Sequence, residues 1–329
     1  MFDKDKSIFF DNLSRVEVNP ETPTAATRVL QNRRFKPQWP VGHKMDYGLR
    51  MEMYADEKIH EIKYELQVER LENTVENFTS FAINRTGPVY INEIEPDLIA
   101  DQLAYKVSTI FYPMHVGLDA HGKVSEIQNI SDIKRRWQTV KAEIRRTFEG
   151  AVLDEYMDRM EKNINDPFVL NLALKDQDWF LNAFFLPIYK NYYIQDEPAS
   201  ALYFPILPFR NIGYSSSFFL SPHFNDLGMI EINVNGKIED GDTENYAGNY
   251  TGRYLLHPHN KQIWMIKSVY TFESAVNQKY VKLDIFCLKD NGQDLDFSFE
   301  QTAKKVTGSS LVIADQGSKK KSIWKSIFR

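Results

Sequence analysis

Two runs near the start of the chain alternate apolar and polar residues one by one. Tyr47, Leu49, Met51 and Met53 recur at every second position. So do Ile62, Tyr64, Leu66 and Val68, with Glu61, Lys63, Glu65, Gln67 and Glu69 between and beside them. A period of two sends successive side chains to opposite faces of an extended strand, so both runs predict strands with one buried and one wet face. Strands of this kind suit an antiparallel sheet, whereas a doubly wound parallel sheet needs strands that are apolar on both faces.

Turn chemistry extends the pattern. Asp119-Ala120-His121-Gly122-Lys123 predicts a reversal within a strand pair around 107–127, with Gly122 supplying positive φ. Asn233-Val234-Asn235-Gly236-Lys237, His257-Pro258-His259-Asn260-Lys261 and Asp290-Asn291-Gly292 predict three more hairpins between apolar-rich runs.

Between these regions the period changes to 3.6. Ile133, Trp137, Val140, Ile144 and Phe148 fall on one helical face, and Leu153, Tyr156, Met160 and Ile164 continue it after a break at Gly150. Asp166-Pro167 has the form of an N-cap followed by proline at the first helical position. A last helix is predicted over 177–189, with Trp179, Phe180, Ala183, Phe184 and Ile188 inward and Pro187 ending it. Segregated runs of strands and helices indicate an α+β fold. The expected architecture is a large curved antiparallel sheet, or two, built from hairpins, with a central block of helices (about 131–190) packed on it. The body spans 45–302, with strands over 45–128, helices over 131–190 and strands over 200–300. Residues 1–44, with four prolines, read as an extended arm, and 303–329 as a linker and tail.

Function is less legible. The chain of 329 residues has 40 Lys and Arg against 45 Asp and Glu, a net charge of -5, which argues against a nucleic-acid binder. Phosphate loops, H-E-x-x-H, C-x-x-C and nucleophile-elbow motifs are absent from the sequence. The single cysteine, Cys287, lies in a strand-like run and reads as a buried thiol. His257 and His259 would share a strand face but lack further ligands, and the acidic loops 239–245 and 290–296 lack the calcium-loop pattern. No cofactor, metal or catalytic residue is therefore expected. The start of the chain lacks a signal-peptide pattern and no stretch reaches about 18 apolar residues, so a cytoplasmic setting is expected.

Two features point to binding. The last eleven residues carry five cations and no acid, so the preceding 318 sum to -10. Within them, Ile323 with Ile327 and Trp324 with Phe328 are i, i+4 pairs behind Lys319, Lys320 and Lys321, a pattern that suits a groove in a protein partner, a terminus whose aromatics pack back on the body of the chain or, less well, an anionic membrane surface. Separately, the aromatic stretch 189–219 reads as an irregular core segment bridging the helices and the second strand region, or offers Tyr192, Tyr193, Tyr203, Phe204 and Phe209 as the lining of an apolar pocket between sheet and helices.

The stretch Gly252-Arg253-Tyr254-Leu255-Leu256-His257-Pro258, followed by Ile263-Trp264-Met265-Ile266-Lys267, is similar to the hairpins of lipoprotein-carrier (LolA-like) open-barrel lipid-binding proteins. The resemblance covers that hairpin and the order of elements. It implies a curved sheet with helices in its concavity and an apolar ligand, and it assigns no residue roles. Three readings follow in order: a non-catalytic scaffold or interaction protein, a component of a larger assembly docking through its tail; a carrier or binding protein for an apolar ligand in a concave sheet; and an enzyme with scattered catalytic residues.

Overall fold

The computed structural model describes residues 36–55, 58–73, 79–190, 192, 200–207, 210–238, 246–274, 278–290 and 293–294. Strands β1 (Lys44–Ala55), β2 (Lys58–Arg70), β3 (Thr79–Arg85) and the short β4 (Tyr90–Ile91) come first. Helix α1 (Ile99–Ser108) and a single 3-10 turn (Thr109–Phe111) lead into the hairpin of β5 (Met114–Leu118) and β6 (Val124–Ile127). Four helices follow: α2 (Ile130–Thr147), α3 (Ala151–Asn165), α4 (Pro167–Gln177) and α5 (Trp179–Phe184). The chain then returns to strands, with β7 (Ser200–Leu207), β8 (Arg210–Leu220), β9 (Ile230–Ile238), β10 (Asn249–Leu256), β11 (Ile263–Glu273), β12 (Gln278–Asp290) and β13 (Gln293–Asp294).

All thirteen strands belong to one antiparallel sheet, in the order β6-β5-β3-β2-β1-β12-β11-β10-β9-β8-β7, with β4 beside β2 and β13 beside β12. The two strand regions join where β1 pairs with β12, from Tyr47 opposite Cys287 to Tyr54 opposite Tyr280. The expected α+β architecture is present, and of the two arrangements left open, one sheet or two, the single sheet is the one formed. The alternation read from the sequence sets the faces. Tyr47, Leu49, Leu66, Val68, Leu283, Ile285 and Cys287 are buried under the helices. Arg50, Glu52, Glu61, Lys63 and Lys282 lie on the outer face in ion pairs, among them Arg50–Glu61 at 2.5 Å and Lys63–Glu61 at 2.7 Å.

The helical block sits on the inner face. Ile133, Trp137 and Ile144 are buried from α2, and Leu153, Met157, Met160 and Ile164 from α3. Asp166 caps α4 through the Phe168 and Val169 amides, with Pro167 in the first turn as expected. Helix α5 fills the concavity. Phe184 meets Tyr47 edge-on at 4.9 Å and stacks on Phe180 at 4.8 Å, and Trp39 packs against Phe184 and Phe81. Tyr254 donates to the Ala183 carbonyl at 3.0 Å. Helix α4 has a further role, because it contacts both terminal strands of the sheet, β6 and β7. Its Asn171 side chain accepts the free Ile127 amide of β6 at 2.7 Å, satisfying an edge donor that would otherwise be open.

Three sequence expectations are corrected. Asn235-Gly236 is not a hairpin tip but lies inside β9, paired to Ser216 of β8 and Tyr250 of β10. A Cβ at Gly236 would meet Ser216 Oγ at 2.2 Å, so this glycine permits a close approach instead of a turn. Val107 belongs to α1 and the strand pair starts at Met114. The helix expected over 177–189 is only α5, started by the Asp178 cap and ended before Pro187. The reversals at Gly122 (φ 82) and at 257–261 are present. At the fourth, Asp290 pairs with Gln293 across residues outside the described set.

Candidate functional site

Of the residues expected to line an apolar pocket, Tyr192, Tyr203 and Phe204 are among the described residues. Tyr203 and Phe204 are neighbours on β7 and therefore face opposite sides of the sheet. Phe204 is buried, 4.7 Å from the Tyr250 ring and 4.6 Å from Tyr270, whereas Tyr203 is half exposed and lies across Gly213 on the outer face. Tyr192 is half-buried and donates to the Ile188 carbonyl at 2.6 Å. Tyr193 and Phe209 lie outside the described residues, as do Lys319, Lys320, Lys321, Ile323, Trp324, Ile327 and Phe328.

A different constellation forms where the inner face of β2 and β3 meets α1 and the start of α5. Tyr64 points inward from β2 with Ile62 and Leu66, and Arg85 ends β3 opposite Leu66. The Arg85 guanidinium lies 4.9 Å from the Tyr105 ring centre and 5.2 Å from that of Tyr112, within cation–π range of both. It also donates to Ser108 Oγ at 2.9 Å, and Ser108 donates to the Tyr105 carbonyl at 2.7 Å, which fixes the fork. Asp178 closes the group. Its carboxylate accepts the Leu181 amide at 2.8 Å as the cap of α5.

These side chains feel one another. Burial pushes the Asp178 carboxyl up to about 6, against the pull of its backbone hydrogen bonds. Burial also raises Tyr112, helped by the Asp178 charge and opposed by Arg85. Tyr64 is raised well above its ordinary value by burial, then by Tyr112 and Asp178. Tyr64, Arg85, Tyr112 and Asp178 are half-buried, each keeping part of its surface accessible. Together with Tyr105 they form a cluster of partly accessible aromatic and ionisable groups. Its polar points are two phenols that remain protonated donors, one fixed cation and one carboxyl that changes charge near neutral pH. Perturbed ionisable groups gathered in a cleft are the usual mark of a binding or reactive site.

The chain matches no family model, and no curated protein matches it. Among solved structures it is similar to one titled "Lipid-protein interactions in lipovitellin", with 10% identity and a TM-score of 0.40. The match covers 80% of this chain and 26% of that one, so the chain spans about a quarter of its length. A likeness of that degree does not carry the ligand of one protein over to the other.

Sequence reasoning missed Arg85, Tyr112 and Asp178, and it placed Tyr64 on a strand without a role. Asp178 before Trp179 was findable, since an Asp ahead of an apolar run is a start signal. The other three are brought together only by the tertiary fold. Among the described residues no group of three or more His, Cys, Asp or Glu is arranged to hold a metal ion, and no helix is long and apolar enough to cross a membrane.

Proposed function

We propose that the protein binds a small amphipathic molecule at the cluster between β2, β3, α1 and α5. The apolar body of the ligand lies against the rings of Tyr64, Tyr105 and Tyr112, and its polar end meets Arg85 and Asp178. One observation carries this reading: the Tyr105 and Tyr112 rings flank the Arg85 guanidinium, the Asp178 carboxyl acts on Tyr64 and Tyr112, and all of these groups retain accessible surface. A sheet wrapped around helices can hold such a site rigidly, because its residues come from strands and helix ends rather than from long loops.

The test uses 1-anilinonaphthalene-8-sulfonate, a probe with an apolar ring system and one anionic group. The wild-type protein, with a cooperative thermal transition that excludes a molten state, is expected to bind it saturably near one per chain. Arg85→Met should weaken binding about tenfold or more, since a charge-assisted hydrogen bond contributes roughly 1.5–3 kcal/mol. A folded wild-type protein that gives no saturable signal, together with a clean apo mass by native mass spectrometry on freshly purified material, overturns the reading.

A further inference from the structure

Helix α4 is apolar on more than its inner side. Leu170 is buried, but Phe168, Val169 and Leu172 are 75%, 38% and 42% exposed, and at i, i+1 and i+4 they form one contiguous outward patch. Val152 in the first turn of α3 is 77% exposed. Scattered surface apolar residues need no explanation, whereas a contiguous group on one helix implies a cover.

The α3–α4 segment that carries this patch is acidic. Residues 149–178 hold eight carboxylates against three cations (Arg159, Lys162, Lys175), a net -5. Glu149, Asp154, Glu155, Asp158 and Asp166 are exposed. The segment 319–329 is the complement in both respects. It carries five cations and no acid, and its apolar pairs Ile323/Ile327 and Trp324/Phe328 would form one stripe on a short helix. Such a stretch is marginal as an isolated helix and gains order on contact.

We propose that the α3–α4 hairpin is the docking surface for this chain's own C-terminal segment, 319–329, bound in cis. The apolar stripe covers Phe168, Val169 and Leu172, and the lysines turn toward the exposed acids of α3. Helix α2 is basic, with Lys134, Arg135, Arg145 and Arg146, so the lysines face away from it. Reach is not limiting, since 28 residues separate Asp294 from Ile323 and an extended chain covers about 3.3 Å per residue. A tether of that kind raises the local concentration of the segment to about the millimolar range, enough to hold a weak contact closed.

Zero-length carbodiimide crosslinking of the full chain tests this, read by mass spectrometry on an equal mixture of light and 15N-labelled protein. The expected result is same-isotope links from Lys319, Lys320 or Lys321 to Asp154, Glu155 or Asp158. These links should be lost in the double variant Phe168→Ser with Leu172→Ser, whose substitutions lie on the surface and leave the thermal transition in place. Trp324→Ala should reduce them several-fold, and raising the salt to 0.5 M should do the same. Links confined to mixed-isotope pairs would mean that a second copy supplies the segment, and would overturn the cis arrangement. Tail links to other parts of the fold, or links that survive the double variant, would overturn the docking surface itself. So would a purified protein in which the tail gives no link at all.

Discussion

The Asp178 carboxylate holds the first turn of α5 through the Leu181 amide, while the enclosure around it disfavours its charge and raises it from 3.8 to about 6. A carboxyl raised in the folded state binds its proton more tightly there than in the unfolded chain. Its contribution to stability is therefore complete below about pH 4 and is lost as the pH climbs through 6. The loss has an upper bound of about 3 kcal/mol, at about 1.4 kcal/mol per tenfold change in proton affinity, and any water reaching the cluster lowers it. Asn retains the capping oxygen without the charge. Asp178→Asn should flatten the urea-denaturation profile between pH 4 and 7 and exceed the wild-type stability at pH 8; parallel profiles would count against a perturbed carboxyl. Glu161 makes the opposite case. It accepts from the buried Trp137 indole and from Lys141, and the Lys141 hydrogen bond, then that of Trp137, draws it down to about 2. Glu161→Ala leaves the indole donor without a partner and should cost about 1–3 kcal/mol, read as a lower urea midpoint at unchanged slope, with Glu161→Gln recovering most of it. Of the carboxylates that cap or bridge helices, Asp166 is marked in sequence by the proline after it and Asp178 by the apolar run that follows, whereas the partners of Glu161 on another helix leave no local signal.

Local pattern located the strands and the long helices more reliably than the turns that join them. Asn-Gly at 235–236 misled because the same dipeptide serves two purposes. In β9 the missing side chain of Gly236 makes room for Ser216 from the adjacent strand. Gly236→Ala should therefore destabilise the sheet by about 1–3 kcal/mol through overpacking. Combining it with Ser216→Ala should cost less than the two separate effects added together, because the hydroxyl that clashes is gone. Thermal melts of the two single variants and the double variant measure the coupling, and strict additivity would contradict the contact. Helix α1 went unseen for a different reason. It is ten residues long, begins after Leu98 without a side-chain cap, and buries few apolar residues, so it carried neither a start signal nor a long period. Helix α5 was seen but drawn too long, since aromatic residues continue past its end at Phe184 into a segment that packs without helical geometry.

Across the molecule, the sheet is completed by a pairing between β1 and β12, elements separated by more than 200 positions. Such a pairing leaves no trace in any local window, which is why one sheet could not be told from two. The cluster beside Arg85 shares that origin, for Tyr64, Arg85, Tyr112 and Asp178 come from four separate stretches of chain. Central and terminal strands should also differ in dynamics. In native-state hydrogen exchange the amides of β1, β2, β11 and β12 are expected to open only with global unfolding, and those of β6 and β7 at lower cost. Equal protection throughout would mean that the margins are held as firmly as the middle. What holds those margins is α4, through Asn171 on one side and its packing against β7 on the other. A twisted ribbon of thirteen strands with two bare flanks would be an invitation to fibril growth, each flank templating the next molecule. A single eleven-residue helix standing in the gap is therefore expected to oppose polymerisation, so that a lesion loosening it should raise light scattering before it lowers the thermal transition.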